Sequence, residues 1–163
     1  MKKLLFSIIL LLPLTGCSSD GLVHDKAYLR AAAVDGNTYV MSFFAGEDIV
    51  TAQADSPEAA VSAAEELIGR EIFTGFTELI ILDDCPDGAE VLADMLKKWR
   101  VSPSCIAVSG DSGLLYDTDP EVLEGQVRQA QRHGTAPECG IVYVLSQLLD
   151  EKNSALLPEL KGG

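Results

Sequence analysis

From Leu4 to Leu12 the chain is almost continuously apolar, but beyond residue 26 its hydrophobic positions fall into shorter, more regular patterns. Alternating positions point to half-buried strands, spacings of three and four to amphipathic helices, and short unbroken blocks to strands covered on both faces. Tyr28 to Val34 and Thr38 to Ala45 are strand-like, and Asp35-Gly36-Asn37 between them is hairpin chemistry. Ile49 to Ala54 continues an antiparallel meander. Ser56-Pro57-Glu58 then opens a helix, with a serine N-cap, proline at the first helical position and an acid in the first turn. Its apolar stripe is Val61, Ala64, Leu67 and Ile68, and Gly69 stops it.

A linker with Phe73, Gly75 and Phe76 leads into Leu79-Ile80-Ile81-Leu82, a block that predicts a strand buried on both sides. Asp87 and Glu90 have capping-box spacing, and Val91, Leu92, Met95, Leu96 and Trp99 form the buried stripe of a second helix. Cys105 to Ser109 reads as another buried strand, so strand, helix and strand predict a right-handed parallel crossover. Asp119-Pro120-Glu121 starts a third helix reaching about Arg132, and Ile141 to Leu149 makes a fourth. The expected fold is α/β (α+β): one domain over residues 27–163, a mixed β-sheet with an N-terminal antiparallel meander, and about four helices.

The first apolar run has a different explanation. Met1-Lys2-Lys3 precedes it and Leu14-Thr15-Gly16-Cys17 follows, which is a positive n-region, a short h-region and a small-residue cleavage site. It is too short for a bilayer span, which takes about 20 residues. The cysteine directly after Leu-Thr-Gly is the pattern of a bacterial lipobox. Residues 1–16 are therefore expected to be cleaved, and Cys17 to carry a thioether-linked diacylglycerol and an N-acyl lipid. Residues 17–26 would form a lipidated tether on the outer face of the bacterial cell membrane. Each buried lipid CH₂ contributes about 0.8 kcal/mol, so several acyl chains hold durably.

Cleavage of residues 1–16 from the 163 leaves 147, and because it removes Lys2 and Lys3 and no acid, the net charge moves from −13 to −15. Such acidity opposes nucleic-acid binding and docking on anionic lipid. Of the remaining cysteines, Cys85, Cys105 and Cys139, an odd number leaves at least one thiol unpaired, and without a Cys-x-x-Cys or a Cys/His pair there is no zinc ligand set. No cofactor is expected beyond the lipid at Cys17.

Gly110-Asp111-Ser112-Gly113 looks like the nucleophile segment of trypsin-like proteases, but the only histidines are His24 in the tether and His133 near a helix end. A strand-to-helix turn is the expected reading. Asp83, Asp84 and Asp87 follow a buried strand and have the oxygen chemistry of a hard-cation site, yet Cys85 and Pro86 interrupt them and Asp87 is expected to cap a helix. Asp111, Asp117 and Asp119 are read the same way, and glycine-rich phosphate loops are absent. Phe43 and Phe44 are adjacent, so one ring should enter the core and the other face outward as a possible protein contact.

The order of these features resembles the N-terminal domain of the spore germination receptor C-subunit lipoproteins, the Ger(x)C family. The likeness rests on the lipobox, the early strands, the Ser-Pro-Glu helix start, and the stretch from Gly69-Arg70-Glu71-Ile72-Phe73-Thr74-Gly75-Phe76 to Leu82. It continues through Arg100-Val101-Ser102-Pro103-Ser104-Cys105 to Ser109 and the closing Leu156-Leu157-Pro158. Family members usually continue into further domains. The resemblance implies a non-catalytic lipoprotein that joins integral-membrane germination receptor subunits at the inner spore membrane. The alternative is a stand-alone extracytoplasmic solute-binding lipoprotein. A pocket lined by Tyr28, Tyr39 or Tyr116 would favour the latter, and an apolar patch the former.

Overall fold

A computed structural model describes residues 25–46, 49–150 and 155–161. The signal segment, Cys17 and His24 lie outside the described residues. Strand β1 (Ala27–Asp35) turns at Gly36 into antiparallel β2 (Thr38–Phe43), which pairs with antiparallel β3 (Val50–Gln53). Gly36 takes the left-handed conformation (φ 53°) that a tight hairpin requires and glycine supplies without strain. Helix α1 (Pro57–Ile68) follows. Ser56 Oγ accepts from the Ala59 amide at 3.2 Å, Pro57 fills the first turn, and Gly69 (φ 69°) closes the helix by donating its amide to the Glu65 carbonyl.

Short β4 (Ile72–Phe73) pairs parallel with the start of β1, and β5 (Leu79–Asp83) pairs parallel with its second half. Helix α2 (Gly88–Asp94) runs into a wider π turn at Met95–Trp99 and ends at Arg100, whose φ is 56°. Then come β6 (Ile106–Gly110), one-turn α3 (Leu114–Asp117), α4 (Pro120–Arg132), α5 (Ile141–Leu148) and β7 (Glu159–Leu160). The sheet order is β3-β2-β1-β5-β6-β7, antiparallel on the β2 side of β1 and parallel from β1 to β7. The chain is thus one mixed sheet with five helices among the described residues, a single α+β domain.

The unbroken apolar blocks occupy the middle of that sheet. Leu79, Ile80 and Ile81 of β5 and Ala107 and Val108 of β6 have no exposed surface. Full burial of such a branched side chain contributes about 1.5–3 kcal/mol. Ala31, Ala32 and Ala33 of β1 are equally buried, and short α3 lies against β1 and β2. Trp99 is buried at the end of the π turn, its Nε1 donating to the Pro57 carbonyl at 3.0 Å and so tying α2 to the start of α1.

Two local expectations require correction. Leu67 is 67% exposed, and the buried stripe of α1 is Pro57, Ala60 and Ala64, with Val61 and Ile68 only partly covered. Small side chains let α1 approach β3 closely, which turns Leu67 off the contact face. Asp87 does stand at the N-cap of α2, but its side chain accepts no capping hydrogen bond. Its backbone (φ −95°, ψ 26°) departs from the extended conformation that aims an N-cap oxygen at the first turn.

Candidate functional site

The start of β1 carries an exposed group of aromatic rings. Pairing of β4 with β1 sets Phe73 opposite Tyr28, and the Thr74-Gly75 turn returns Phe76 over both. Tyr28 and Phe76 stack with centroids 5.8 Å apart at 21°, Phe73 meets Phe76 edge-on at 5.0 Å and 67°, and Phe73 lies 5.7 Å from Tyr28. Such pairs contribute about 0.5–1.5 kcal/mol each beyond burial. The turn is held from beneath. Thr74 Oγ1 donates to the Trp99 carbonyl at 2.6 Å, and Thr77 Oγ1 donates to the Thr74 carbonyl at 2.7 Å. Gly75 lets the Phe73 ring lie close over the turn, since a Cβ there would sit 2.8 Å from Phe73 Cζ and push the ring aside. Although the rings cover one another, Phe73 remains 38% and Phe76 57% exposed.

Of the adjacent pair, Phe43 enters the core at 5% exposure. The strand ends there, and Phe44 begins a short 3₁₀ turn with its ring half-buried. A β-bulge between Leu29 and Ala31 places the Arg30 guanidinium over the Phe44 ring, 5.1 Å from its centroid. Arg30 also reaches Glu78 at 3.2 Å, Asp119 at 3.3 Å and Glu121 at 3.0 Å, joining β1 to the start of α4. Phe44 and Phe76 line one shallow groove of about 290 Å³, with Glu78 and Arg128 among its polar walls. The outward phenylalanine therefore adjoins the ring cluster. That cluster is not readable from spacing alone, because it joins Tyr28 to a distant linker. The available signal was two phenylalanines flanking a glycine in a stretch with no helical or strand period.

A second feature lies beyond the carboxyl ends of parallel β1 and β5, where Asp35 pairs with Asp83. Here the β1–β2 turn, the segment before α1 and the start of α2 enclose a cavity of about 230 Å³. Asp55, Asp87, Glu90 and Asp94 line it together with Tyr39 and Cys85. Burial, and then the nearby Cys85, Asp94 and Asp55, push the Tyr39 hydroxyl up to about pKa 12. Burial, followed by the Asp87 carboxylate, also raises the Cys85 pKa and favours the thiol over the thiolate. Tyr116 lies elsewhere, its hydroxyl on Thr51 Oγ1.

The remaining polar segments have structural partners. Asp83 Oδ2 accepts from the Ser112 amide at 2.8 Å and Asp111 Oδ1 from the Gly113 amide at 2.7 Å, so Gly110 to Gly113 forms the turn from β6 to α3. His133 caps the C-terminus of α4, with Nε2 2.8 Å from Gln129 Nε2. Among the described residues no three His, Cys, Asp or Glu side chains are grouped closely enough to hold a metal ion. Cys85, Cys105 and Cys139 are unbridged. Comparisons with protein-family models, with curated proteins and with solved structures find no match for this chain.

Proposed function

We propose that this protein is a membrane-anchored, non-catalytic lipoprotein working by protein–protein contact, like the C subunit of a nutrient germinant receptor in spore germination. Tyr28, Phe73 and Phe76, continued by Phe44, form its docking face for integral-membrane receptor subunits. The observation that carries this reading is the exposed ring cluster, built by the linker on which the family resemblance rests and by the strand that follows the tether. From Cys17 to Tyr28 a fully extended chain reaches at most about 40 Å at 3.3–3.6 Å per residue, which keeps the rings near the bilayer to which Cys17 would be anchored. Exposed aromatic anchors are the residues in which interface energy concentrates.

A photo-reactive amino acid in place of Phe76, in the full-length lipoprotein in its native membrane, tests the reading. Cross-links to multi-span membrane proteins should form there and not from Val142, which is 53% exposed on α5. Equal labelling from both positions would remove the docking face. Cys17→Ala should abolish incorporation of labelled fatty acid and leave uncleaved precursor, and label retained in that variant would refute the anchor.

A second reading, the stand-alone solute-binding lipoprotein, is favoured by one observation: Tyr39 lines an acidic cavity at the carboxyl ends of two parallel strands.

A further inference from the structure

Tyr39 is 2% exposed, yet its hydroxyl belongs to the cavity wall, and none of the hydrogen bonds among the described residues ends on it. The hydroxyl is not sealed in the interior, since among the described residues no buried side-chain oxygen or nitrogen lacks a partner. It is open to the cavity, where a tyrosine set this deeply usually has a hydrogen-bond partner. Here the opening beside it supplies the room for one. The surrounding carboxylates are only partly neutralised. Asp94 is paired with Lys98 at 2.8 Å and Asp55 accepts from neutral Asn37 at 2.9 Å, while Asp87 and Glu90 have no cationic partner among the described residues. The N-termini of α1 and α2 border the cavity and bring roughly half a positive charge each. Four carboxylates against those two ends and Lys98 leave the cavity negative.

We propose that this cavity is a binding site for a small aliphatic diamine, with Tyr39 accepting from one ammonium group and Asp87 and Glu90 holding the other. The shape of the charge selects this class. Asp55 precedes α1, whereas Asp87, Glu90 and Asp94 follow one another along α2, and no three of them are grouped closely enough for a metal ion, so they suit two separated positive centres better than one compact cation. Between them Pro57, Pro86 and Val91 offer apolar wall to a short carbon chain. The inference rests on the cavity alone and holds whether or not the ring cluster docks a partner.

Calorimetry of the full-length lipoprotein in non-ionic detergent, with 1,4-diaminobutane as probe, tests it. Salt of about 0.15 M screens general attraction to an acidic surface beyond roughly 8 Å. Saturable one-to-one binding is expected. Tyr39→Phe should weaken it about ten-fold or more, as loss of a hydrogen bond to a charged group does, with the melting temperature unchanged. Asp87→Asn combined with Glu90→Gln, at exposed positions, should weaken it at least as much. Calcium should not displace the probe. Absence of saturable binding, affinity unchanged in both variants, or displacement by calcium would overturn the proposal. So would tighter binding of N-acetyl-lysine amide than of the diamine, which would point to a lysine side chain of a protein.

Discussion

Strand β1 links two regions of opposite character, about 30 Å apart at 3.3 Å per residue over its length. At Ala27 and Tyr28 the surface is aromatic, and the cations nearby are engaged: Lys26 bonds Glu71 at 2.8 Å, and Arg30 serves three carboxylates and the Phe44 ring. Beyond Asp35 the surface is acidic, and Asp87 and Glu90 are left without cationic partners among the described residues. The net charge of −13 is therefore unevenly expressed. Where acids are matched with Lys or Arg, apolar rings stand in solvent beside little uncompensated charge, which suits contact with another protein. Where they are unmatched, they surround a recess, which suits a small cation. The ring cluster and the cavity share no residue, so contact and capture need not compete.

The largest test of this contrast lies inside the aromatic end. Phe43→Ser should destabilise the domain by about 3–5 kcal/mol in urea denaturation, as truncation of a buried phenylalanine does. Phe44→Ser should cost only about 0.5–1 kcal/mol, the worth of its contact with Arg30 at a partly exposed site. Equal losses would mean that the aromatic surface cannot be separated from the core.

A smaller effect should follow Gly75→Ala. The new methyl group meets the Phe73 ring, which is partly exposed and free to swing away, so the stability loss should stay near the low end of overpacking costs, about 1 kcal/mol. The arrangement of the cluster should nevertheless break. Ring-current shifts of Tyr28 and Phe76 in NMR spectra should move toward unstacked values, and persistence of those shifts would show that the turn does not position the rings.

What the chain reveals in advance depends on how local the cause is. The hairpin at Gly36, the Ser56-Pro57 helix start and the doubly covered strands at Leu79 and Ile106 are set by neighbouring residues, and the structure bears them out. Strands β4 and β7 are two residues long and carry no period, and α3 is a single turn, so none of them has a pattern to read. The exposure of Leu67 depends on which face of α1 meets the sheet. The ring cluster and the acidic cavity each assemble residues from separate elements. Phe43 is buried and Phe44 is not, as expected, but the cause is not strand alternation: β2 ends at Phe43 and Phe44 begins a 3₁₀ turn, and the cover of Arg30 over Phe44 comes from a bulge in β1 that no local pattern announces.

The smallest expected effect belongs to the acidic end and concerns the same hydroxyl as the proposed amine site. Because the Tyr39 hydroxyl ends no hydrogen bond among the described residues, Tyr39→Phe should change stability at neutral pH by no more than about 0.5 kcal/mol. Above neutral pH the two proteins should separate. Burial, then the charges of Cys85, Asp94 and Asp55, raise the Tyr39 pKa from 10.0 to about 12, so the folded state keeps a proton that the unfolded chain gives up. That group's contribution is complete below pH 10 and is lost as pH rises through 12. Burial likewise raises the Cys139 pKa from 9.0 to about 11 and that of Cys105 above its ordinary value, so both proteins should begin to lose stability near pH 9. Between pH 10 and 12 the wild type should fall further than Tyr39→Phe, because only it has this tyrosine to ionise. Urea midpoints measured across that window, with the tyrosinate absorbance followed in parallel, decide the matter. Parallel decline of the two proteins would mean that Tyr39 titrates normally and is open to water, while a large loss at neutral pH would mean that its hydroxyl already has a partner.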